Sequence, residues 1–235
     1  AILVSPRFLF RVESDASGFP AGSVREVTDL ELASRLSFFL WSSLPDETLL
    51  RAAERGELRT PEGRRTEVAR MLKDPRARNL VTNFGAQWLH LRGLETVTPD
   101  LRLFIDFDDN LRQSMRRETE LFFYGLVKED KSILDLYSAD YTYLNERLAK
   151  HYGIPNLYGP QFRRVELPAE LASRRGLLGK GALLTVTSNA ARTSPVTRGK
   201  WFLQTFMGVS PPDPPPNVPA IKEKAADTTG NAKVP

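Results

Sequence analysis

The chain has 235 residues, 41% of them hydrophobic and 26% charged, with a formal net charge of +4 and no cysteine. These values suit one or two ordinary globular domains. The missing cysteine excludes disulfides, thiol nucleophiles and thiolate metal sites, and it excludes the C-x-x-C-H signature of covalent haem attachment within this chain.

The opening residues, AILVSPRFLFRVE, lack a basic leader and are interrupted by Pro6 and Arg7. They read as the tail of a helix that begins upstream, not as a signal peptide. TDLELASRLSFFLW follows, with Thr28 and Glu31 at capping-box spacing and Leu30, Ala33, Leu36 and Leu40 at helical spacing. SSLPDETLLRAAERGEL predicts a short helix with Ser43 as cap and Gly56 as stop. TPEGRRTEVARMLKD predicts another, with Thr60 as cap and Pro61 at the first helical position, where its missing N–H is harmless. Pro75 biases Asp74 away from helical geometry and ends it. PRARNLVTNFGAQWLHLRGL predicts one further helix with Leu80, Phe84, Trp88 and Leu91 on one face.

DFDDNLRQSMRRETELFFYGLVKED predicts the longest helix, capped by Asp108 or Asp109, with Leu111, Met115, Leu121, Phe122 and Leu126 on its apolar side. SADYTYLNERLAKHYGIP reads as a helix starting near Asp140 and stopped at Gly153. RRVELPAEL is the one expected extended segment, near 162–168. RRGLLGKGALLTVTS suits a buried helix in its apolar positions, although its glycines lower helix propensity. SPVTRGKWFLQTFMG predicts a last helix ending at Gly208. The dense proline that follows favours an extended linker. The expected fold is mostly α, a multi-helix bundle with that short β segment and a Pro-rich C-terminal linker. The expected domains are a helical one over 1–152, a partial second one over 153–208, and a linker and polar tail over 209–235. Both ends read as cut from something longer. The apolar runs are too short to cross a bilayer, so no membrane span is expected.

Between Arg163 and Lys200 the chain carries eight basic and two acidic side chains, a local +6 that leaves −2 for the remainder. Such a field favours an anionic partner. Nucleic acid is not expected, because no aromatic–basic interleaving and no recognition-helix pattern is present. Within the basic stretch, TSNAARTSPVTRGKW (187–201) admits two readings. In one, Ser194 caps the helix that Pro195 begins, and the cations are solvated. In the other, the helix start with Arg192, Thr193, Ser194 and Arg198 binds a carboxylate or phosphate.

Other motifs fall away. GLLGKG at 176–181 lacks the spacing of a phosphate loop. DFDD at 106–109 lacks the mid-loop glycine of a calcium loop, and Arg117 stands where its glutamate belongs. No G-x-S-x-G elbow occurs. Glu118 and Glu120, two apart on a helix, face different ways and make a poor acid/base pair. Met71 and Met115 read as core, and His90 as a partly buried packing residue. His151 reads as a charged helix C-cap; as a metal ligand it is a weak candidate whose partners would lie outside the chain.

The blocks SPRFLFRVE, ELASRLSFFLWSSLPDETLL, FGAQWLHLRGL, LRQSMRRETELFF, ADYTYLNERLAKHYGIP, RRGLLGKGALLTVTS, RTSPVTRGKW and PPPNVP, in this order, resemble the paired domains of unknown function in large secreted bacterial proteins. Those families are named for planctomycete proteins that also carry cytochrome-c-like modules. The resemblance runs from about Ser5 to Pro219. It implies export, hence a periplasmic or extracellular place in the cell envelope. It also implies c-type haem in an adjoining segment, beyond the proline stretch, and brings no catalytic residues to transfer.

The expected function is accordingly an electron-transfer or oxidoreductase component of an exported, c-type-cytochrome-associated protein, with no haem attached within this chain. The partner is an adjoining cytochrome-c-like module or another envelope protein, with haem propionates facing Arg192, Thr193, Ser194 and Arg198. The alternatives are a non-catalytic scaffold of an envelope complex and a hydrolase acting on an anionic polysaccharide.

Overall fold

Thr28 starts the first helix through the reciprocal bonds its sequence predicts. Its hydroxyl accepts from Glu31 N at 3.3 Å, and the Glu31 carboxylate accepts from Thr28 N at 2.7 Å. This is seen in a computed structural model that describes residues 26–212 continuously, together with 2–6, 10, 20 and 24. Helix α1 (Asp29–Trp41) buries Ala33, Leu40 and Trp41, while Leu30 is exposed. Helix α2 (Glu47–Glu54) is capped by Asp46, not Ser43, whose carbonyl instead accepts from Ser37 Oγ. The reason is Pro45: it disfavours helical geometry at Leu44, so a helix cannot start from Ser43. Gly56 ends the segment in the left-handed region, at φ 72°. Helix α3 (Pro61–Lys73) runs from its Thr60 cap to Asp74.

These helices enclose a first apolar cluster around Trp41, Leu49, Leu58 and Met71. Trp41 is fixed by its Nε1, which donates to Met71 O at 2.9 Å, and the Arg76 guanidinium lies 3.6 Å from the ring centroid.

The next segment departs from the single helix expected. A π-helical run, Leu80–Gly85, leads into the short α4 (Ala86–Trp88), and the chain breaks at His90, which sits at φ 58°. Leu91 therefore lies beyond the break and not on the Phe84–Trp88 face.

Helix α5 (Asp109–Lys128) is capped by Asp108, which accepts from Leu111 N at 2.6 Å. Its buried stripe carries Leu111, Met115, Glu118, Phe122 and Leu126, with Leu121 only half-buried. After α6 (Asp135–Ser138) comes a strand where a helix was expected: β1 (Tyr141–Leu144) pairs antiparallel with β2 (Arg163–Glu166), Tyr141 opposite Glu166. Tyr-Thr-Tyr is a β-favouring run, and Asn145, not Asp140, caps the following α7 (Glu146–Tyr152). The extended segment expected near 162–168 is β2.

The glycine-bearing stretch yields a short buried helix, α8 (Gly181–Val186), and α9 (Pro195–Phe206) follows. Both pack into a second apolar cluster that runs from Ala86 through Leu111, Phe122 and Leu148 to Leu183 and Trp201. The fold is mostly α. Residues 209–212 are without helix or strand, and the remainder of the proline-rich linker and tail lies outside the described residues.

Candidate functional site

The loop joining α8 to α9 is built from hydroxyls. Thr187 Oγ1 donates to Leu183 O and Ser188 Oγ to Leu184 O, each at 2.6 Å, so both close onto the last carbonyls of α8. An isolated bridge pairs Ser188 with Thr193, and Asn189 N donates to Arg192 O at 2.9 Å. Ser194 caps α9, accepting from Thr197 N at 3.3 Å. Arg198, one turn into α9, reaches back across the loop. Its Nη2 donates to Thr193 Oγ1 at 3.0 Å and Ser188 Oγ at 3.4 Å, and its Nε to Thr187 Oγ1 at 3.2 Å.

Every acceptor of Arg198 is neutral, and among the described residues the half-buried guanidinium forms no ion pair. Of the four residues expected to form a site, Arg198 and Thr193 are brought into direct contact. Ser194 serves the helix start, and Arg192 is exposed on the loop with its carbonyl engaged. Beside Arg198 opens a groove of about 380 Å³, walled by Leu178, Leu183, Leu184, Thr187 and Trp201. The Trp201 Nε1 is enclosed without a hydrogen-bond partner.

The wider basic stretch does not form one cationic face. Arg164 pairs with Glu129 at 3.3 Å and covers the Tyr141 ring, and Lys180 points into the interior. Lys180 belongs to a polar centre that sequence reasoning missed. Glu118 accepts from Thr142 Oγ1 at 2.5 Å and from Tyr152 OH at 2.7 Å, and Lys180 Nζ stands 4.0 Å from its Oε1. Lys180 also donates to Tyr141 O at 3.3 Å. Tyr152 OH in turn accepts from Gly181 N at 2.8 Å, and a Cβ at Gly181 would stand 2.7 Å from that hydroxyl.

Burial raises the Glu118 pKa against the pull of Lys180, lowers that of Lys180 to about 8, and holds Tyr152 well above the usual phenol range. A signal for Glu118 existed. It stands on the same helical stripe as Leu111, Met115 and Phe122, a carboxylate in an apolar row.

A larger groove, about 850 Å³, lies between α1, the π-helical run and α9, and includes Phe39, Phe84, Gln87, Trp88 and Gln204. His90 stands exposed in its wall, not packed away as expected. A third, about 320 Å³, is lined by Asn110, Glu146, Arg147 and Lys150. Among the described residues, none of the three is walled by a pair of carboxylates, and none opens on Glu118.

Residues 27–154 match the family model PSD4, described as protein of unknown function (DUF1592), which is more than half of the chain. The chain belongs to the DUF1592 family. Residues 174–234 match a second model, PSCyt3, described as protein of unknown function (DUF1588). No curated protein and no solved structure matches.

The DUF1592 match covers α1 through α7, and the DUF1588 match takes in α8, the hydroxyl loop and α9. Glu118 thus comes from the first matched region and Lys180 from the second, and their contact joins the two. The name PSCyt3 hints at cytochrome association. The DUF1592 chain itself has no cysteine for a C-x-x-C-H attachment. Among the described residues no group of three His, Cys, Asp or Glu side chains is placed to hold a metal, and no helix is long and apolar enough to cross a membrane. His151 lies in the last turn of α7. It is exposed there, and desolvation together with the nearby cations Arg174 and Arg147 lowers its pKa.

Proposed function

We propose that this chain is a docking unit for a c-type cytochrome module in the cell envelope, a component of an electron-transfer system that grips a carboxylate of its partner through Arg198. The observation that carries this reading is the guanidinium anchored, among the described residues, to neutral oxygens alone at the mouth of an apolar groove. A cation left without a counter-ion is matched by an incoming anion, and an arginine–carboxylate pair is stronger than the neutral bonds it already makes. The groove beside it suits the edge of a flat apolar group. Together they fit a ligand with an apolar body and an acidic tail, which describes a haem edge with its propionate.

In this reading the chain's residues bind and orient, and the iron chemistry belongs to the adjoining module. Thr193 and Thr187 hold the guanidinium in place, and Arg192 adds charge at the loop's outer side. The name PSCyt3 supports a cytochrome partner, and the family resemblance supports export. Residues 153–208 would complete the unit formed by 1–152, with 209–235 as a tether. Docking is favoured over hydrolysis by the anchored guanidinium at an apolar groove.

The test is Arg198→Gln with Arg192→Gln in the full-length protein. Affinity for the isolated cytochrome module is expected to fall about ten-fold or more, as loss of a charge-assisted bond predicts. Arg198→Lys should recover part of it. Unchanged haem content, redox potential and partner affinity in the double variant would remove the site.

A further inference from the structure

We infer that the groove between α1, the π-helical run Leu80–Gly85 and α9 is a binding site for a neutral saccharide. Its described walls combine partly exposed aromatic rings with hydroxyl, amide and imidazole groups. Phe84 and Trp88 are stacked at a 13° interplanar angle with centroids 5.9 Å apart, and Phe39 meets Phe84 edge-on at 5.3 Å. Phe38, Phe39 and Phe84 are 43%, 52% and 41% exposed, a cluster of apolar surface that folding alone would hide.

Among the described residues, the polar part of the lining consists of Ser42, Asn83, Gln87, His90, Gln204 and Thr205, with no Asp, Glu, Lys or Arg. Amide side chains both donate and accept hydrogen bonds. A phosphate or carboxylate ligand would call for cations, and a cationic ligand for carboxylates. A lipid tail would have no use for so many amides. A sugar ring uses both kinds of surface. Its C–H face lies against an aromatic ring, and its hydroxyls exchange hydrogen bonds with the amides.

The backbone supports a built site. Ser42 at φ 52° and His90 at φ 58° are non-glycine residues in the left-handed region, and both line this groove. A π-helical run lies between them. Strained residues and π segments gather at functional sites. The lining is also held in place before any ligand arrives. Asn83 Nδ2 donates to Ser42 Oγ at 2.6 Å, and Trp88 Nε1 donates to Thr205 O at 2.9 Å, which pins the indole. The site is separate from Arg198.

The test is calorimetric titration of the 235-residue chain with cellohexaose, xylohexaose and mannohexaose, with hexagalacturonate as the charged control. At least one neutral hexasaccharide is expected to bind, with the indole fluorescence changing in parallel, and the control is expected to bind at least ten-fold more weakly. Phe84→Ala and Gln87→Ala should each weaken binding ten-fold or more while keeping the wild-type unfolding midpoint. Should Phe84→Ala lose its midpoint, Gln87→Ala alone decides. The inference is overturned if no neutral saccharide binds at millimolar concentration, if hexagalacturonate binds equally well, or if a folded variant keeps full affinity. Self-association of the chain that Phe84→Ala abolishes, without saccharide binding, would overturn it in favour of a protein contact.

Discussion

Lys180 and Glu118 face each other with about 1% of either side chain exposed. Burying two charges is costly, and removing one partner of such a pair is worse than keeping both. Lys180→Met is therefore expected to lower the unfolding free energy by about 3 kcal/mol, read from urea midpoints. The pH dependence carries its own sign. The Glu118 carboxyl has a folded pKa above its ordinary 4.5, so the stability it contributes is present below that value and is lost as pH rises through the folded one. The Lys180 ammonium falls from 10.5 to about 8 on folding, so stability grows as pH rises between those values. The groups that face the pair are Thr142 from β1, Tyr152 from α7 and Arg174, whose guanidinium lies 4.3 Å from the Tyr152 ring. Glu118→Gln should abolish the loss on the acid side and, because the Glu118 carboxylate raises the Lys180 pKa, start the alkaline-side rise at a lower pH than in the wild type. Identical pH profiles for wild type and variant would contradict this account. At this scale half of the pair was legible in the sequence. Glu118 announces itself by its place in the apolar stripe, whereas its partner is brought to it only by the return of α8. The hydroxyls around Arg198 were legible as a group because they are neighbours in the chain, but their division between capping Ser194 and anchoring Thr193 was not.

Among the elements, α2 and α3 are tied by one carboxylate. Asp46 accepts from Leu49 N at 2.9 Å as the cap of α2, and from Arg70 of α3 at 2.8 and 3.0 Å. The Arg70 hydrogen bonds hold its pKa below the ordinary 3.8, so the contribution is present above that value and lost as pH falls through the folded one. Asp46→Ala should cost about 2 kcal/mol, near the upper end for a lost cap, and Asp46→Asn should cost less because the amide still caps. Thermal melts at neutral pH and near pH 3 check both; the difference between Asp46→Asn and wild type should shrink at the acid end. Caps were the most readable features of the chain. Thr28, Thr60, Asp108 and Ser194 act as their local sequences predict, because a cap is decided within four residues. Strand β1 was read as helix because its stability depends on β2, which is remote in sequence, and the π-helical run leaves no mark in the spacing of apolar residues.

For the molecule as a whole, the second apolar cluster draws on both matched regions: Leu111, Phe122 and Leu148 from one, Leu177, Leu183 and Trp201 from the other. A piece ending at residue 152 would leave the first set uncovered and Glu118 without its ammonium. Such a piece is expected to lack a cooperative urea transition and dispersed amide resonances, while the intact chain shows both. A sharp transition in the piece would establish 1–152 as an independent unit. The mostly helical class was legible from periodicity, but closure by α8 and α9 was not, since long-range packing has no local signature. One consequence falls on chain length. A π turn already carries one residue more than an α turn, so losing a single residue between Leu80 and Gly85 would return the run to α geometry with its flanks in register. Gaining one has no such outlet: at 3.6 residues per turn everything after it would swing by about 100°, and the indole of Trp88 would leave Thr205 and Phe206. The run tolerates the loss of a codon and not the gain of one.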